Sequence, residues 1–170
     1  MSEYSPVAEL NQLKAFADGL GRVEFSDGFE LAEFGMDAGL HTWSDHPDFV
    51  SAFIPFAQAT PSGSSYALWR CDDRTDLATL PVVFVGDEGD LYVVACDVRE
   101  FLQLLAIDSE FLDPASVEEH SEGHEAYLAW LDQNFGLAAP ANMDELSTED
   151  KVLNERFRTW ARPFVDLDEY

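Results

Sequence analysis

Apolar residues recur along the chain with two periods, and the change from one to the other falls between Leu80 and Ala106. Val82 to Val85 is a wholly apolar, β-branched run and Leu91 to Cys96 is another, so both read as strands with at least one buried face. Gly86-Asp87-Glu88-Gly89-Asp90 lies between them. Glycine adopts positive φ at little steric cost and aspartate bonds its own backbone, so this pentapeptide predicts the turn of a hairpin. After Cys96 the spacing becomes helical. Asp97 stands three residues before Glu100, as in a cap, and Val98, Phe101, Leu102 and Leu105 share one face of a predicted helix, Val98 to Ala106.

The flanking pattern is read the same way. Ser5-Pro6 predicts a helix start, with Leu10, Leu13, Phe16 and Ala17 as its apolar stripe and Gly19 as its stop. Between Arg22 and Trp43 only Val23-Glu24-Phe25 and Phe29-Glu30-Leu31 alternate, which predicts loop with short edge strands. Ser44 to Pro47 predicts a turn or helix start. Phe49 to Ala57 is too aromatic to be exposed, and Pro55 within it argues for an edge strand or an irregular end. A turn cluster, Thr60 to Ser64, leads into a strand from Ser65 to Cys71 with Tyr66, Leu68 and Arg70 on one face and Ala67, Trp69 and Cys71 on the other.

Beyond Ala106, Asp113 to Ser116 predicts a turn. Tyr127, Trp130, Leu131 and Phe135 mark a helix closed by Gly136, and Ala138 to Asn142 reads as a linker. Ser147 with Asp150 resembles a capping box, opening a last helix with the stripe Leu153, Phe157, Trp160 and Ala161 and a stop at Pro163. The strands Ser65 to Cys71, Val82 to Val85 and Leu91 to Cys96 are expected in one sheet, the last two paired antiparallel.

Composition narrows the function. With 170 residues, 46% hydrophobic and 13% aromatic, the chain suits one domain, 1–170, with a substantial core. Its formal charge is −25, from 34 acids against 9 Lys and Arg, which repels phosphate backbones and anionic lipid. Nucleic acid and membrane are thus not expected as direct partners. No basic segment followed by an apolar one opens the sequence and no apolar run is of spanning length, so a cytoplasmic location is expected. Cys71 and Cys96 fit neither a CxxC pair nor a zinc knuckle and read as reduced thiols.

The run FIPFAQATPSGSSYALWR, followed by LPVVFVGDEGDLYVVA and a helix beginning DVREFLQLLA, resembles the SUKH superfamily, the group related to the Syd protein and the Knr-type cell-wall-synthesis regulators. The resemblance spans Phe49 to Ala106, and its most specific feature is the order YALW strand, PVVFVGDEG hairpin, FLxLLA helix. It implies a single α+β domain with a largely antiparallel sheet and helices packed on one side, here with a helical C-terminal extension. It also implies a non-enzymatic immunity protein that binds and neutralises a bacterial toxin, and it brings no catalytic residues. An acidic inhibitor would be steered to a basic toxin such as a nuclease. The alternative, which other relatives suggest, is a cytosolic regulatory or scaffold module docking a cellular protein.

The candidate chemistry is sparse. No GxGxxG, GxxxxGK[ST] or GxSxG occurs, and no cofactor is expected. Asp72, Asp73 and Asp76 could supply a carboxylate pair for acid–base work, but Arg70 and Arg74 flank them as in a solvated loop. Asp87, Glu88 and Asp90 lack the spacing of a calcium loop. These six acids are instead the candidate contacts for a basic protein, with preference for the longer loop, Asp72 to Asp76. His120 and His124 have a spacing that metal sites use, and a metal-dependent hydrolase built on them is the third reading. No third ligand is evident from the sequence, so they read as surface histidines in an acidic segment; His41 and His46, around Trp43, read likewise.

Overall fold

Three apolar runs form the centre of the sheet in the computed structural model. They are β3 (Ser65–Trp69), β4 (Val82–Val85) and β5 (Leu91–Ala95). Two earlier strands, β1 (Glu30–Leu31) and β2 (Phe53–Gln58), extend the sheet in the order β1-β2-β3-β4-β5, with every neighbouring pair antiparallel. The structure describes residues 4–21, 23–26, 29–35, 40, 43–59, 63–86, 91–108, 119–140 and 147–165, with the side chains of 147–150 excluded. The predicted turns at 60–62, 87–90 and 113–116, His41, and the side chains of the Ser147–Asp150 capping box lie outside the described residues.

The expected pairing of β4 with β5 holds, with Val83 opposite Val93 and Val85 opposite Leu91. β2 differs from expectation, because it lies one strand in from the edge despite Pro55. The register with β3 slips between Pro55 and Ala57, and β1 pairs only with Ala57 and Gln58, so the missing N–H falls at a bulge rather than within a regular ladder.

Helices cover both faces of the sheet rather than the one side that the family resemblance implies, because the strands are apolar on both faces. Phe56, Tyr66, Leu68, Val82 and Phe84 point to one side. There they meet Leu10 and Leu13 of α1 (Ala8–Leu20), Phe101 and Leu105 of α3 (Val98–Leu105), and Tyr127 and Leu131 of α4 (His124–Phe135). Phe53, Ala67, Trp69, Val83, Val85 and Val93 point to the other side. They meet Phe49 of α2 (Pro47–Val50) and Phe157 and Ala161 of α5 (Ser147–Ala161). The alternation predicted for β3 is thus correct, and the C-terminal helical extension is the cover of the second face.

One polar contact fixes that cover. β5 is the outer strand of the sheet, and the N–H of Val93 donates to Asn154 Oδ1 at 2.8 Å while Asn154 Nδ2 donates to the Val93 carbonyl at 3.0 Å. A single amide side chain on α5 therefore makes the pair of bonds that a further strand would make there.

Helix ends follow local chemistry. Asp97 accepts from the Glu100 N–H at 2.8 Å and caps α3, as predicted. α4 closes at Gly136, whose φ of 65° is the left-handed conformation such a stop needs. α1 starts at Ala8 rather than beside Pro6, because Ser5 is engaged with Asn11: Asn11 Oδ1 accepts from the Ser5 N–H and hydroxyl, and Asn11 Nδ2 donates to the Ser5 carbonyl. Its stop is Gly21, at φ 70°, and Gly19 is within the helix.

Candidate functional site

The antiparallel register sets where the loops fall. Leu68 pairs with Val82, Val82 with Ala95 and Phe53 with Trp69, so the loop after β3, the Asp97 cap and the end of α2 all lie at one end of the sheet. An open depression of about 480 Å³ lies at this end, lined among others by Asp48, Arg70, Asp72, Asp73 and Trp160.

The three acids of the loop have different roles. Asp72 is clamped by Arg74, whose Nε donates to Oδ1 at 2.7 Å and whose Nη2 donates to Oδ2 at 2.5 Å, while Nη1 reaches the Thr79 carbonyl at 2.7 Å. These charge-assisted bonds hold the Asp72 carboxyl well below the usual carboxylate range. Asp76 accepts from the Ala78 N–H at 3.2 Å and caps a short 3-10 turn, Leu77–Thr79. Asp73 is exposed between them. All three are exposed, but Asp72 and Asp76 also shape the loop through their hydrogen bonds, and Asp73 lies beside Asp48 at the depression. Asp87, Glu88 and Asp90 lie outside the described residues.

Beneath this end, Arg156 of α5 lies over the Trp69 ring, 5.9 Å from its centroid, and its Nη2 donates to the Cys71 carbonyl at 3.1 Å. Arg156 thereby ties α5 to the start of the acidic loop. Burial pushes the Cys71 thiol up, with Arg74 and Arg156 acting against that shift, so this cysteine is not an activated nucleophile.

The histidine pair differs more from its sequence reading. His120 is exposed, but His124 is buried, and the two rings stack with centroids 3.9 Å apart and planes within 2°. Asp108, buried immediately after α3, faces both, with its Oδ2 at 3.3 Å from His120 Nδ1 and 3.7 Å from His124 Nδ1. Burial lowers the His124 pKa, the neighbouring His120 lowers it further, and Asp108 and Glu125 pull the other way. The reading of both as surface histidines fails for His124, and Asp108 is the third group that sequence spacing did not reveal.

The local sequence explains the convergence. Asp108 has φ 60° and its N–H donates to the Leu105 carbonyl, a helix-ending conformation that aspartate tolerates better than most residues. Its carboxylate accepts from the Ser121 hydroxyl at 2.6 Å and from the Ser121 N–H, which ties the approach to α4 onto the end of α3. Gly123 sets the depth of α4. Its N–H donates to the Glu24 carbonyl at 2.8 Å, and a Cβ there would stand only 2.9 Å from that oxygen, so the helix start docks closely only with glycine.

Fold and loops together define an α+β protein on a five-stranded antiparallel sheet covered on both faces by helices. No protein-family model, curated protein or solved structure matches the chain. Among the described residues, no helix is long and apolar enough to cross a membrane.

Proposed function

We propose that this chain is a protein-binding module of the immunity type, which recognises a basic bacterial toxin domain in the cytoplasm through the acidic end of its sheet. The observation that carries the reading is the −25 charge combined with a braced, outward-facing loop whose exposed acids, Asp73 and the nearby Asp48, flank an open depression. A recognition loop must keep its shape without its partner, and the Arg74 clamp on Asp72 with the Asp76 cap supplies that rigidity. The SUKH-like order of strand, hairpin and helix supports the same reading. A negative field of this size raises the encounter rate with a basic surface and disfavours acidic competitors.

Co-expression with a toxin domain encoded beside this chain tests it. Growth should be restored by the wild type and impaired by Asp48→Lys combined with Asp73→Lys, while the fold persists by circular dichroism. A neighbourhood without a toxin domain, together with capture of an endogenous regulatory complex, would favour the scaffold alternative instead.

A further inference from the structure

We propose that Asp108, His120 and His124 bind one divalent ion of the zinc type, clasping the end of α3 to the start of α4. Three potential ligand atoms, one from each residue, lie within 4.8 Å of one another. Two imidazoles and a carboxylate suit a borderline first-row cation better than magnesium or calcium, which prefer oxygen donors. Bonds of about 2.0–2.1 Å in a tetrahedron place neighbouring donors about 3.3 Å apart. The Asp108 Oδ2 contacts of 3.3 and 3.7 Å to the two Nδ1 atoms are close to that edge.

Two further observations point to a ligand. His124 Nδ1 is buried and makes no hydrogen bond, in a residue only 8% exposed. A buried ring nitrogen without a partner is costly, and a metal bond would satisfy it. The Asp108 carboxylate is fully buried and oriented by Ser121, the supporting arrangement that ligating carboxylates have. The left-handed backbone at residue 108 is served as well by glycine or asparagine, so backbone conformation alone does not call for a negative charge there.

The stacked rings define what must move. A nitrogen lone pair lies in its ring plane, and two stacked parallel planes cannot both contain one ion, so one ring must turn. His120, with its side chain 53% exposed, is free to do so, whereas His124 is set in the first turn of α4. Three protein donors leave a fourth position, which suits water.

The test is titration of the EDTA-stripped full chain with zinc chloride against a chromophoric chelator, in excess magnesium to occupy purely carboxylate sites. The wild type should bind one equivalent and melt at higher temperature when loaded. His120→Ala should bind at least about tenfold more weakly, the scale of losing a metal-supporting group, with no rise in melting temperature. His46→Ala should behave as the wild type. Equal metal-free melting temperatures for His120→Ala and the wild type establish that the variant folds, and His120→Gln serves in its place if it does not. Absence of a one-to-one zinc complex, or equal titrations for the wild type and the His120 variant, overturns the proposal.

Discussion

Asn154 is the residue whose role is least apparent from its position in a helix. Its amide makes two hydrogen bonds to Val93 on the outer strand, in a partly buried setting. Asn154→Ala leaves both backbone groups without that partner, and a loss of about 1–3 kcal/mol is expected. Urea denaturation measures it, with Asn134→Ala as control because the Asn134 side chain, among the described residues, bonds the Trp130 carbonyl of its own helix at an exposed site. Equal midpoints for the two variants would contradict the strand-like role. Tyr4 makes a prediction in pH. Its hydroxyl lies within hydrogen-bond distance of the Ala32 and Phe56 carbonyls, which share its one proton, and burial pushes its pKa up to about 12. The folded state therefore favours the protonated phenol, so this contribution is complete below the unfolded value near 10 and is lost as pH rises through about 12. The stability gap between wild type and Tyr4→Phe should close between pH 10 and 12; a constant gap across that range would contradict the assignment.

Among the elements, α5 carries the largest structural consequence. Phe157 is fully buried, with its ring against Phe53 at 6.1 Å and Trp69 at 5.0 Å. Phe157→Ala should cost about 3–5 kcal/mol and shift the Trp69 emission as the second face loosens. A surface-like loss below about 0.5 kcal/mol would mean that α5 does not cover the sheet. Gly123→Ala tests the docking of α4. The added methyl meets the Glu24 carbonyl and Phe25 Cβ, so a loss of about 1–3 kcal/mol is expected in thermal or urea unfolding, whereas an unchanged or raised stability would show that the helix start can shift freely.

The same elements show what sequence patterns resolve and why. Leu153, Phe157, Trp160 and Ala161 identify the buried stripe of α5, because amphipathic spacing is a local property. Which face of the sheet that stripe meets is not local, and neither is the position of β2 one strand in from the edge. Asp108 is hidden from local patterns for the same reason: it lies twelve positions before His120, and only tertiary packing brings them together. The Asp72–Asp76 loop was readable as acidic and exposed. The division of labour within it depends on the Arg74 fork, which the neighbouring arginine suggests but spacing alone cannot orient.

At the scale of the whole molecule, the central claim is that a net charge of −25 speeds encounter with a basic partner while the end bearing Asp48 and Asp73 fixes where it lands. The most direct measurement is the association rate with the basic partner proposed above, a toxin domain if one is encoded beside this chain, by stopped flow across a salt series. It compares the wild type, Asp48→Lys with Asp73→Lys, and the equal charge change Asp87→Lys with Glu88→Lys. The account predicts a wild-type rate that falls steeply with salt, and a loss of about tenfold or more at low salt for the first pair, well beyond that for the second. Equal losses for the two pairs, or a wild-type rate indifferent to salt, would contradict it.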